Sequence, residues 1–469
     1  MRIENDELYR HLIVFGSTGS GKTRHVILPL LTKILGENAN DPGSRAGALV
    51  FDVKGDMEDH LLDAMAAAGR TDPILKIGRN GNTSFNPLEG LENSRSISER
   101  IVEIVRSMHP HGHGHNDDFW LENTKRLLSV CSVLSRIAAY GDTGGLRGIA
   151  EALRQIRTLP QGGDGERQKI LETWCQHMSS AAGSGWIEVS EAESCRSYFQ
   201  SELQYLARST WSVICNYAQT YLDSILTNSL APILDGTSQE VFTPDLVIDQ
   251  GRVALVSLSR VHFGPEAEIF RTMIKSAFQA CALQRFSRVH FDGETVRPVN
   301  RTRPAFLVAD EFPAILSPGH ADLGDAFFLD KSREVRVGCI LSAQGVSALD
   351  ARMGDRARTV HLLNNTCTKI FMASDCLGTL ELFERSMPEA SRDEVDFHHR
   401  GAPPVFRLPN YQFAAHDSWA PSRLSHGFKR RIFEGSDLRT LKTGEAIIVR
   451  PGGHVERISL PAFSLCARV

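Results

Sequence analysis

Gly16-Ser17-Thr18-Gly19-Ser20-Gly21-Lys22-Thr23 is the stretch on which the reading of this chain turns. It follows the apolar run Leu12-Ile13-Val14-Phe15, which reads as a buried strand. A helical pattern carried by Val26, Ile27, Leu30, Leu31 and Ile34 comes after it. Strand, glycine-rich turn and helix, in that order, is the context a phosphate-binding loop requires. The glycines let successive backbone N–H groups converge on phosphate oxygens, because a Cβ there would block close approach. Lys22 would reach the terminal phosphates, Thr23 would offer its hydroxyl to Mg²⁺, and the helix would turn its positive end toward the same anion.

A second stretch completes that reading. Ala305-Phe306-Leu307-Val308-Ala309 is an apolar parallel strand ending in Asp310-Glu311. In phosphate-loop enzymes the first such acid holds the Mg²⁺ shell. The next can accept a proton from the attacking water, so Asp310 is the expected metal-linked residue and Glu311 the expected general base. The strand Val337-Gly338-Cys339-Ile340-Leu341-Ser342 ends near Gln344, which could contact a γ-phosphate, position water or be a buried hydrogen-bonding Gln. Upstream, Arg333 and Arg336 are candidates to enter a neighbouring subunit's site; a surface salt bridge is the alternative. Ala48-Leu49-Val50-Phe51-Asp52 reads as another strand whose end, with Lys54, either borders the site or simply shapes a turn.

The strand-type runs stop between about 97 and 235, where helical periodicity takes over at Ile101, Ile104 and Val105, then Leu127, Leu128 and Leu134, and later Leu222, Ile225 and Leu226. This predicts an α/β fold: a mostly parallel sheet with an inserted all-α domain. The expected organisation is 1–90 for the first part of the nucleotide-binding domain, 91–235 for the helical insertion and 236–469 for the second part. Two features are open. His109, His111, His113 and His115 are possible zinc ligands, yet strict alternation in a Gly/Pro loop favours a solvated loop. The basic run with Arg285, Arg288, Arg297 and Arg301 is either a solvated connection or a surface for DNA phosphates.

With 469 residues, 42% of them hydrophobic and 23% charged, the chain reads as globular and soluble. Its net charge of −4 gives no bulk sign of a polyanion partner. Nine cysteines without C-x-x-C pairs suggest reduced thiols in a cytoplasmic setting. No run approaches the roughly eighteen apolar residues of a membrane span.

Together, GSTGSGKT (16–23), FDVKGD (51–56), FNPL (85–88), DDFW (117–120), VADEF (308–312), the segment from Arg333 to Gln344 and LRTLKTGEAIIV (438–449) resemble the type IV coupling proteins, the VirD4/TraG/TraD group of conjugation and type IV secretion ATPases. That resemblance implies a RecA-like P-loop motor domain of the HerA/FtsK type, with an all-α domain, in a homo-hexameric ring using ATP and Mg²⁺. It implies DNA, usually single-stranded, or a relaxase–DNA conjugate as cargo, and other secretion-system components as partners. By position, Lys22, Thr23, Asp310, Glu311 and Gln344 take the family's roles, and the trans-acting arginine falls on Arg333 or Arg336. Family members usually begin with membrane helices. This chain begins almost at the first motor strand, so the expectation is work at the cytoplasmic face of the inner membrane through a partner or a missing N-terminal anchor. The alternatives are a nucleotide-gated receptor platform without processive translocation, and a HerA/FtsK-type motor in DNA processing or defence.

Overall fold

The computed structural model describes residues 5–463 except 89–92, 109–116, 140–144, 160–163, 204–205, 227–229, 235–239, 265, 288, 293–294, 299–302, 318–323 and 392–428. The four-histidine loop therefore lies outside the described residues. Its centre is a nine-stranded sheet. In chain order the strands are β1 (Leu12–Phe15), β2 (Gly47–Asp52), β3 (Leu75–Gly78), β4 (Val253–Ser257), β5 (Ala305–Ala309), β6 (Val337–Ala343), β7 (Thr368–Phe371), β8 (Glu445–Arg450) and β9 (His454–Ser459). They lie in the spatial order β9-β8-β7-β1-β6-β5-β2-β4-β3. From β7 to β3 every neighbouring pair is parallel. β8 and β9 add an antiparallel edge.

The central strands are continuous apolar runs because both faces are covered. Side chains alternate between the faces along each strand. Ile13, Phe15, Leu49 and Phe51 join one core, while Leu12, Val14, Ala48 and Val50 join the other. The second core is roofed by α1 (Leu28–Gly36) and α2 (Glu58–Ala67), through Leu30, Leu31, Ile34, Leu61 and Met65.

The helical stretch sits on the first face. It comprises α3 (Ser94–Met108), α4 (Asp117–Ala139), α5 (Leu146–Arg157), α6 (Asp164–Gly183), α7 (Val189–Ser197) and α8 (Arg208–Leu226). In α5, Leu146, Ile149, Leu153 and Ile156 are buried at helical spacing, as are Ile214, Ala218, Leu222 and Ile225 in α8. These side chains belong to the same apolar cluster as Phe15 and Phe51, so helices and sheet share one core. A short parallel pair, Thr83–Phe85 with Glu240–Phe242, closes the base of the stretch, and the Phe85 and Phe242 rings pack 6.2 Å apart.

One local expectation is corrected. The run 438–449 reads in sequence as helix, glycine stop and edge strand, but β8 is not the sheet edge, because β9 pairs along its whole length. β9 escaped notice because Glu456 and Arg457 put a charge on each of its faces and its apolar content is low, as befits an edge strand. Part of the basic run also forms an antiparallel hairpin, Val289–Asp292 with Thr295–Pro298. None of the eight described cysteines is in a disulfide. Among the described residues no helix is long and apolar enough to cross a membrane.

Candidate active site

In a parallel sheet every strand presents its carboxyl end on one edge, and ligands collect there. On that edge β1 delivers the glycine loop, β5 delivers Asp310-Glu311 and β6, between them, delivers Gln344. The loop is anchored on both sides. Gly16 N–H donates to Ala343 O (3.3 Å) and Ser17 N–H to Ala373 O (2.8 Å). Gly21 has φ +98°, a region favouring glycine, and an added Cβ would meet the His25 ring at 2.5 Å.

Lys22 Nζ donates to Gly16 O (2.7 Å) and Ser17 O (3.2 Å), curling over the loop it follows. Burial pushes its pKa down, opposed by the negative charges of Asp310 and Glu311. Thr23 Oγ1 donates to both carboxylate oxygens of Asp310, at 2.9 and 3.0 Å. Asp310 is 7% exposed, and burial raises its pKa against the pull of the Thr23 hydroxyl, Lys54 and Lys22. Lys54 Nζ stands 3.8 Å from Asp310 Oδ2. A hydroxyl and a carboxylate held together are hard oxygen donors, the set that Mg²⁺ takes with phosphates and water. These residues fit that ion.

Glu311 follows Asp310, half-buried, at the start of the 3₁₀ turn Phe312–Ala314. Gln344 is exposed just past β6. Asp52 shapes a turn instead of facing the site. Its oxygens accept from the N–H groups of Lys54 (3.1 Å), Gly55 (2.7 Å) and Met57 (3.0 Å) and from Ser257 Oγ (3.2 Å). Arg333 and Arg336 precede β6 and so lie at the opposite edge of the sheet, exposed, with the Arg336 guanidinium 5.8 Å from the Tyr9 ring centre.

The basic run is corrected at Arg285. Its side chain is 0% exposed and donates to the carbonyls of Arg303 (3.1 Å), Val335 (2.9 Å) and Ile248, with Asp249 3.4 Å away. A guanidinium committed to interior carbonyls is not offered to a DNA backbone. Arg303 is likewise buried, on the carbonyls of Arg45, Pro42 and Gly43. Arg288 and Arg301 lie outside the described residues, and Arg297 is on the second strand of the hairpin.

Sequence reasoning missed the grip of the C-terminal edge on the glycine loop. Gly444 N–H donates to Ser20 O (3.2 Å), His25 Nδ1 lies 2.7 Å from Leu460 O, and Phe463 N–H donates to Arg24 O (2.9 Å). An added Cβ on Gly444 would meet the His25 ring at 2.7 Å. The imidazole is thus wedged between two glycines more than four hundred positions apart. No local pattern signals such a contact.

Comparison with known proteins bears out the resemblance read from the sequence. A family model described as the type IV secretion-system coupling protein DNA-binding domain matches residues 2–143. The type 4 coupling protein DotL of Legionella pneumophila subsp. pneumophila (strain Philadelphia 1) is 22% identical over 473 residues, covering 95% of this chain and 56% of that protein. The chain thus spans about half the length of this curated relative. Among solved structures, the plasmid coupling protein TrwB in complex with ADP and Mg²⁺ superposes with a TM-score of 0.61 at 14% identity, covering 100% of this chain and 88% of that one. The unbound bacterial conjugative coupling protein TrwBdeltaN70 gives 0.59 at 15%, covering 99% and 88%. The shared fold is a RecA-like P-loop sheet with an all-α part.

Proposed function

We propose, from its kinship with the type IV coupling proteins, that this chain is a ring-forming ATP hydrolase that recruits and moves DNA, or DNA joined to protein, in conjugation or type IV secretion. The observation that supports it best is the Thr23 hydroxyl on both oxygens of Asp310, beside the Lys22 ammonium. TrwB, which shares the fold, has been seen with ADP and Mg²⁺ and with the ATP analogue ADPNP.

In this reading the N–H groups of residues 16–23 cradle the phosphates, and Lys22 swings from the loop carbonyls onto them. Thr23 and Asp310 would hold Mg²⁺, which would supply positive charge to neutralise the phosphates. Water attacks the γ-phosphorus, its proton passes to Glu311, and the bond to the β–γ bridging oxygen breaks to release ADP. Gln344 orients the water or senses the γ-phosphate. Arg333 or Arg336 acts on the site of a neighbouring copy in a homo-hexamer, a closed head-to-tail assembly. Residues 91–235 act as an all-α domain, and the ring meets the membrane through a partner or anchor at its cytoplasmic face.

The test is ATP turnover with and without single-stranded DNA, for the native chain and Glu311→Gln. Severalfold stimulation by DNA, abolished in the variant, is expected. Turnover indifferent to Glu311→Gln would remove the hydrolase mechanism, and indifference to DNA would remove translocation.

A further inference from the structure

Glu311 is the reacting carboxylate of the proposed mechanism, yet it is half-buried at the head of a short turn that would swing freely if nothing held it. The six residues after it are held at alternate positions. Arg352 Nε donates to Pro313 O (3.0 Å). Lys275 Nζ donates to Ile315 O (2.6 Å) and to Ser317 Oγ (3.1 Å), and Ser317 N–H donates to Asp325 Oδ2 (2.8 Å). Lys275 and Asp325 are themselves an ion pair at 2.5 Å, 0% and 2% exposed, and Gln279 Nε2 donates to the second Asp325 oxygen at 2.7 Å.

The anchors come from three elements. Lys275 and Gln279 sit on α9 (Glu266–Gln284), Asp325 opens α10 (Asp325–Lys331), and Arg352 sits on α11 (Val346–Met353). α11 begins two residues after Gln344, and Arg352 also pairs with Glu268 on α9. A buried ion pair adds little net stability over apolar side chains of equal size; what it does impose is one geometry. Here that geometry belongs to the exit from β5.

We propose that Arg352, Lys275 and Asp325 are positioning residues for Glu311, holding its turn at the angle where the carboxylate meets the attacking water. The proposal rests on Glu311 being the general base. Displacing a catalytic group by about an ångström costs on the order of a hundredfold in rate. The side chain of Arg352 is 38% exposed, so its replacement leaves the core intact.

The experiment uses the full chain as Arg352→Gln, Arg352→Lys, Glu311→Gln and the Glu311→Gln/Arg352→Gln double variant. Single-turnover ATP hydrolysis, affinity for a non-hydrolysable ATP analogue and Tm are measured on each. Arg352→Gln should slow hydrolysis about ten- to a hundredfold while analogue affinity changes less than about twofold. Arg352→Lys, which keeps one donor for Pro313 O, should recover part of the rate. In the Glu311→Gln background, Arg352→Gln should add almost nothing, since groups acting as a unit are not additive. A normal rate in Arg352→Gln with a dead Glu311→Gln overturns the positioning role and leaves the base assignment standing. Parallel losses of affinity and rate, or an equal slowing in both backgrounds, overturn it as well. Wild-type hydrolysis in Glu311→Gln overturns the base assignment and this proposal with it.

Discussion

Arg336 and Gln344 bracket a single strand: one directly precedes β6 and the other directly follows it. At about 3.3 Å per residue, the eight steps from Arg336 across that strand to Gln344 put roughly 26 Å between them. Gln344 shares the sheet edge with Lys22 and Asp310, and the arginines do not. Within one subunit neither Arg333 nor Arg336 can serve the site that its own glycine loop builds.

The arginines therefore make a mixing prediction. Lys22→Ala subunits keep the arginines and lose the phosphate loop, whereas Arg333→Ala or Arg336→Ala subunits do the reverse. Each should be inactive alone, and mixed rings should regain a measurable fraction of ATP turnover at the hybrid sites. Mixtures as inactive as their parents would show that the arginine does not act between subunits.

Two lysines approach Asp310, and their surroundings separate their effects. Lys22 is partly buried and turned onto the loop, while the side chain of Lys54 is 53% exposed and 3.8 Å from the carboxylate. Exposed ion pairs contribute roughly 0–1 kcal/mol. Calorimetry with an ATP analogue should show Lys22→Ala weakening binding at least about tenfold and Lys54→Ala less than about fivefold. Equal losses would mean that Lys54 is a phosphate ligand in its own right.

A pH dependence follows from His11, which is 1% exposed. Its Nδ1 accepts from Cys339 N–H (3.1 Å) and its Nε2 faces Leu329 O (2.8 Å), which fixes the neutral ring. Burial lowers its pKa from 6.5 to about 4. Between those values the unfolded chain binds the proton and the folded chain does not, so stability is full above about pH 6.5 and falls as pH drops toward 4. The loss reaches about 3 kcal/mol by linkage. Unfolding midpoints from pH 7 to 4.5 should fall more steeply for the native chain than for His11→Asn. Identical slopes would contradict the assignment.

Arg285→Met should lower stability by about 3 kcal/mol, because three interior carbonyls lose their donor. The salt dependence of DNA binding should not change in that variant, since a buried cation releases no counterions. A flatter slope on a log–log plot would return Arg285 to the DNA surface.

Much of the fold was legible in the chain. Lys22 and Thr23 follow a strand and open a helix, Asp310 closes an apolar run, and the strand-free interval appears as helices α3 to α8. These features are local: a glycine spacing, a two- or 3.6-residue period, an acid at a strand end. The misreadings share a cause. Arg285 looked like surface because charge in a polar run usually is solvated, and β9 looked like nothing because edge strands carry polar residues.

By itself the sequence determined the nucleotide chemistry on offer and the strand ends that carry it, because backbone geometry and side-chain type act over a few residues. Only the tertiary structure decided which carboxylate meets Thr23, that the arginines face away from their own loop, and that His25 and Arg352 hold the site from distant elements. Those outcomes depend on strand order and on packing between segments hundreds of residues apart. No local pattern encodes a contact that forms only once β6 has slipped between β1 and β5.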